Sequence, residues 1–222
     1  MIKQTVFAAT VLASVPVSGA LAAEAYLVHG INGADLGLDT ALPVDVTLDG
    51  ACVATGATYK STVGPSHLDA GLYTVEIRLA DETPCAGPIA ATALLPVNFG
   101  ENFTFVAHLT DAGSITTTKF VNDIREPAMG SARLIVRHTA DAPVVDVLAD
   151  GSPLFTDLAN GEQVSATPPA ATYSVAVAPT GTSDPVIGPA DISLGDGTVT
   201  AVHAVGSASG GTLDLILVDL SQ

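Results

Sequence analysis

The stretch His138-Thr-Ala-Asp-Ala-Pro-Val-Val-Asp-Val-Leu-Ala-Asp-Gly151 decides how the chain is read, because a diluted copy of it lies earlier in the same sequence. In that copy His29 ends an apolar run, an insert follows, and Pro43-Val-Asp-Val-Thr-Leu-Asp-Gly50 repeats the later half. Asp45 therefore corresponds to Asp146, and Asp49-Gly50 to Asp150-Gly151. The repeat predicts two β-domains in series.

The stretch reads as strand, corner, strand and hairpin turn. Val145, Val147 and Ala149 share one face and Asp146, Leu148 and Asp150 the other, the period of two of a half-buried strand. In the first copy Val44, Val46 and Leu48 alternate with Asp45, Thr47 and Asp49, so the outward aspartates are expected to be solvated. Asp-Gly closes each strand, since a two-residue hairpin loop needs positive φ at both central positions, which Asp tolerates and Gly adopts freely.

The pattern His-x-x-Asp-Ala-Pro-x-Val-Asp-Val-x-x-Asp-Gly, with a later Ala-x-x-Tyr-x-Val and a strand ending in Ala-Val-Gly, resembles a bacterial secreted family, domain of unknown function 4397. His138, Asp141, Pro143, Asp146, Val147, Asp150, Gly151, Tyr173 and Val175 carry the resemblance, and the first copy departs from it by the insert between His29 and Pro43. The resemblance implies an all-β fold of immunoglobulin-like sandwiches outside the cytoplasm. It implies no activity.

The start of the chain has a short basic head at Lys3, an apolar run from Thr5 to Val15 and a small-x-small site at Ala20-Leu-Ala22, the form of a signal peptide. Residues 1–22 are thus expected to be removed, leaving a first sandwich at 23–125, a linker at 126–131 and a second sandwich at 132–222. No later run is long enough to span a bilayer. With 7 Lys and Arg against 23 Asp and Glu the formal charge is -16, which repels nucleic acid and anionic lipid. Frequent Val, Thr, Ala, Gly and Pro, with no sustained helical period after the leader, predict antiparallel sandwiches of about seven strands each.

Strands are expected near 25–30, 44–48, 58–63, 72–79, 89–95, 102–109 and 114–121, then near 132–139, 144–149, 163–167, 172–178, 190–194, 198–205 and 212–220. With no Trp, Tyr73 and Tyr173 are the large core anchors. Asp69-Ala-Gly-Leu-Tyr73 has the spacing of a tyrosine corner, while Pro169-Ala-Ala-Thr before Tyr173 weakens the analogy in the second half. Cys52 and Cys85, the only cysteines of an exported chain, are expected to be bonded, tying a hairpin to an adjacent loop; a metal pair or reactive thiol has no supporting spacing.

Among possible sites, His29 and His138 sit at the inner ends of first strands and read as histidines bonded to the following corner. His108 and His203 lie on penultimate strands and are expected on different faces, which argues against a repeated His-His metal site. His67 lies between Ser66 and Asp69, but no nucleophile elbow accompanies it, so a hydrolase is the weakest reading. Asp141, Asp146 and Asp150 are oxygen donors of the type calcium takes, yet lack the dense spacing that wraps one ion, and turn formation explains Asp141 and Asp150 equally well.

These features point to a non-enzymatic secreted or periplasmic module, binding or structural, with a protein or glycan partner at the cell envelope and no resident cofactor unless calcium. A ligand is expected to meet the loops around Asp141 or the insert at 32–41. The alternatives are an accessory of surface polysaccharide export or modification, or a calcium-dependent adhesion module.

Overall fold

The computed structural model describes residues 22–221, so the expected leader, its last residue apart, lies outside the described residues. The first half contains β1 (Ala23–His29), a 3-10 turn (Gly33–Leu36), β2 (Val44–Leu48), β3 (Ala51–Ala57), β4 (Thr62–Leu68), β5 (Gly71–Leu79), β6 (Ile89–Val97), β7 (Asn102–Leu109) and β8 (Ile115–Val121). The second contains β9 (Arg133–His138), β10 (Val145–Ala149), β11 (Ser152–Leu158), β12 (Gln163–Ala166), β13 (Ala171–Pro179), β14 (Ile187–Leu194), β15 (Val199–Val205) and β16 (Asp214–Asp219). The fold is all-β, and every sheet draws its strands from one half. The first half pairs β4-β1-β7-β8 and β3-β2-β5-β6; the second repeats the scheme as β12-β9-β15-β16 and β11-β10-β13-β14. In both halves the first strand runs parallel to the seventh, and the other pairings are antiparallel. This is the two-sheet sandwich of immunoglobulin-like domains with a strand order of its own.

Each half has eight strands, one more than expected. The hairpin turn explains the difference: Asp49 and Gly50 (φ 47° and 81°) and Asp150 and Gly151 (φ 51° and 76°) reverse the chain straight into β3 and β11. Both are edge strands with little alternation, and β3 is almost wholly exposed, so neither announces itself by pattern. The strand expected near 58–63 is the connection between β3 and the start of β4.

The outward aspartates are not solvated, contrary to the reading from alternation. Asp45 is 2 % exposed and Asp146 5 %. The cause is a bulge in the next strand that folds over them. Asp45 Oδ1 accepts from the Gly56 N–H (2.8 Å) and Oδ2 from the Cys85 N–H (2.6 Å). Asp146 Oδ1 accepts from the Asp157 N–H (3.0 Å) and Oδ2 from the Gly181 N–H (2.9 Å). Gly56 and Asp157 share a left-handed backbone, φ 62° and 60°, so the same device occurs in both copies.

Strands β7, β9 and β15 are buried along nearly their whole length because both of their faces are covered. On one face lie the sandwich cores. On the other, Tyr26, Val28, Val106 and Phe120 join Ile135, Ala201, Val205, Ile216 and Val218 in one apolar cluster that spans the two halves. The sandwiches therefore stack through β4-β1-β7-β8 and β12-β9-β15-β16, giving four layers. Lys60 to Asp214 (2.5 Å) and Gln163 Nε2 to the Val121 carbonyl (3.1 Å) also cross the junction.

Candidate functional site

The corner after each first strand is built around a histidine. His29 Nε2 donates to the Leu42 carbonyl (2.9 Å) and its Nδ1 faces the Ile31 N–H (3.4 Å). His138 repeats this with the Pro143 carbonyl (2.9 Å) and the Ala140 N–H (3.4 Å). One nitrogen donates and the other accepts, which is the neutral tautomer, and burial pushes both imidazoles below the ordinary histidine range. The insert between His29 and Pro43 leaves this corner intact because it projects outward as the 3-10 turn, capped by Asn32 through the Ala34 N–H (3.0 Å).

Tyr73 and Tyr173 both donate to a carbonyl four residues back, Asp69 and Pro169, at 2.9 Å each. The tyrosine corner thus holds in the second half despite its different preceding residues, since the bond uses main chain. Cys52 and Cys85 form a disulfide with Cα atoms 5.8 Å apart, joining the β2–β3 hairpin to the β5–β6 loop.

His108 and His203 were expected on different faces, and the register corrects this. His29 lies opposite Ala107 and His138 opposite Ala204, so the two histidines sit two residues apart on equivalent strands and share the face toward the other half. His203 is completely buried, with Nε2 3.2 Å from Arg137 Nη1. Arg137 is also completely buried; its Nε donates to Gln163 Oε1 (3.1 Å), its Nη2 donates to Asn122 Oδ1, and its guanidinium lies 4.9 Å from the centre of the Phe120 ring. Asn122 continues through Asn102 to Glu24, the nearest carboxylate along that chain of bonds. Burial pulls Arg137 down to about 9, which leaves it charged at neutral pH. No sequence pattern marked this network. An arginine inside the apolar run Leu134-Ile-Val-Arg-His138 was the available signal.

The three aspartates proposed for calcium are each used separately. Asp150 Oδ1 accepts from the Ser174 N–H (3.0 Å), Asp146 holds the bulge, and Asp141 Oδ2 accepts from Ser207 Oγ (2.8 Å). Among the described residues no three His, Cys, Asp or Glu side chains converge as metal ligands. His67 is exposed on β4, opposite Glu24.

The two segments expected to meet a ligand do come together. Asp35 of the insert and Asp141 of the second corner line one cleft of about 570 Å³ at an end of the junction, with Asp111 and Gly113 of the β7–β8 turn and Ser207, Ser209 and Gly210 of the β15–β16 loop. Thr212 Oγ1 lies 2.9 and 2.6 Å from the Asp35 carboxylate oxygens. A Cβ on Gly210 would stand 2.0 Å from Asp35 Oδ1, so a larger residue there would push the Asp35 side chain aside. Asn160 Nδ2 bridges the halves behind the cleft, donating to the Leu109 (2.9 Å) and Ala140 (2.6 Å) carbonyls. None of Asp35, Asp111 and Asp141 is ion-paired among the described residues. The cleft offers carboxylate and hydroxyl oxygens to a ligand rich in hydrogen-bond donors.

No curated protein matches the chain. The family described as "Domain of unknown function (DUF4397)" matches residues 27–147, from within β1 through the first half and junction into β10. That span is more than half of the chain and includes both His corners and both buried bulge-holding aspartates, Asp45 and Asp146; the chain belongs to this family.

Proposed function

We propose that the protein is an exported, non-enzymatic binding module of the cell envelope, and that its ligand is a glycan or protein segment held in the cleft between the insert and the second corner. The observation that carries this reading is the cleft itself: its walls come from both halves and present Asp35, Asp111 and Asp141 together. The binding reading is also supported by the engaged state of the corner histidines, whose ring nitrogens face main chain rather than solvent. The disulfide suits an oxidising compartment, and among the described residues no helix is long and apolar enough to cross a membrane. Service beside a surface polysaccharide system is one form this role would take.

The test is capture from a native envelope extract by the immobilised mature protein, in parallel with an Asp111→Asn/Asp141→Asn variant. The expected result is a glycan or polypeptide retained by the parent and lost from the variant. Equal retention by both would place binding elsewhere. Calcium and chelator arms accompany it, and equal capture in both is expected because among the described residues no three acidic or other metal-ligating side chains converge.

A further inference from the structure

The repeat supplies an internal control for core packing. The second core is a single apolar cluster, whereas the first is split in two, one cluster around Val46, Val75 and Phe103 and another around Val44, Ile77 and Leu109. The register shows why. Val147 and Val145 face Phe155 and Leu158 of β11, but the equivalent Val46 and Val44 face Ala54 and Ala57 of β3. Phe103 and Phe105 stand where the second half has Thr200 and Val202, and return volume from the opposite sheet. They do not fill the gap beside β3.

What remains is a series of three cavities sharing walls along the core. The middle one, about 30 Å³, is lined by Ala54, Ala57 and Phe105. Leu27 and Val63 separate it from a larger one of about 240 Å³, with Ser66 and His67 at its exposed end. On the other side His29 and Ile77 divide it from a third of about 120 Å³. A dry apolar cavity of about 150 Å³ suffices to bind benzene, so the largest compartment alone has room for a small hydrocarbon. The route in lies between β3 and β4, the edge strands of their sheets, which adjoin on the side where Ser66 and His67 reach the surface. A second observation points to a ligand: the Ser61 hydroxyl, in the wall of the middle cavity, is buried without a hydrogen-bond partner.

We propose that the first sandwich is a binding site for one linear hydrocarbon chain with a single uncharged polar group, entering between β3 and β4. Space distributed along the core suits a chain better than a compact ring, and the strong negative charge of the protein disfavours an anionic head. The site is separate from the cleft between the halves. Decan-1-ol is the probe, titrated into the mature protein by calorimetry and followed by thermal melting. One equivalent is expected to bind and raise the melting midpoint. Ala54→Phe/Ala57→Leu, which installs the side chains of the second half, is expected to weaken binding at least tenfold while melting no lower than the parent. Ala57→Leu alone, a smaller change, is expected to weaken binding in the same direction if the double variant does not fold. No binding to the parent, or equal binding to parent and folded variant, would overturn the proposal.

Discussion

At the scale of single residues the fold rests on buried polar side chains, most of them turned toward main chain. His29, His108, His138 and His203 are buried, and burial holds each of them below the ordinary histidine range. The consequence for stability has a definite sign. Above pH of about 6.5 imidazoles are neutral in folded and unfolded chains alike, and contribute no pH dependence. Below it the unfolded chain takes up protons that the folded one refuses, so stability is lost as pH falls. His138→Gln keeps a donor for the Pro143 carbonyl and removes one such proton. Urea unfolding from pH 7 to 5 is expected to show a slope shallower in the variant by up to about 1.4 kcal/mol per pH unit. Parallel slopes would mean that His138 is protonated in the folded state. The histidine corners were legible because His29 and His138 end apolar runs ahead of a Pro-bearing corner. The burial of Asp45 and Asp146 was not, since alternation says which face a side chain takes and nothing of a bulge that later covers that face.

At the scale of elements, β3 and β11 show how one architecture tolerates two kinds of edge. β11 packs Phe155 and Leu158 into its core, and β3 has alanines there but is tied down by the disulfide. Closing a loop with a sequence separation of 33 contributes about 3–4 kcal/mol in the chain-entropy account. Cys52→Ser/Cys85→Ser is therefore expected to lower the unfolding free energy of residues 23–222 by about that amount, measured by urea denaturation. A loss below about 1 kcal/mol would show that the bulge held by Asp45 secures the edge without the bond. Most strands were readable from Val-rich alternation, and 44–48 and 102–109 coincide with β2 and β7. The hairpin turns had already implied β3 and β11, because Asp-Gly in that conformation must return the chain alongside itself. What hid β3 is composition, as Ala51-Cys-Val-Ala-Thr-Gly-Ala57 has no apolar face to detect, whereas in β11 a bulge breaks the alternation of Leu154, Phe155 and Leu158. The cleft was legible in its two loops and not in their meeting, which depends on the stacking of the halves.

For the whole molecule the central claim is that two copies of one sandwich are joined face to face, and that the cleft exists because of that joint. Each half owns complete sheets, so each has the means to fold alone. Each would then expose its side of the shared apolar cluster, with Arg137 and His203 uncovered in the second half. An exposed apolar face of this kind favours association. The most direct measurement is to express residues 23–126 and 130–222 as separate chains, confirm their β structure by circular dichroism, and mix them on a sizing column with light scattering. The account predicts two folded halves that combine one to one, and that Phe120→Lys, which sets a second cation against Arg137 in the junction, abolishes the complex while leaving its own half folded. Two folded halves that elute as monomers and ignore each other would contradict it, as would halves that fold only as one chain.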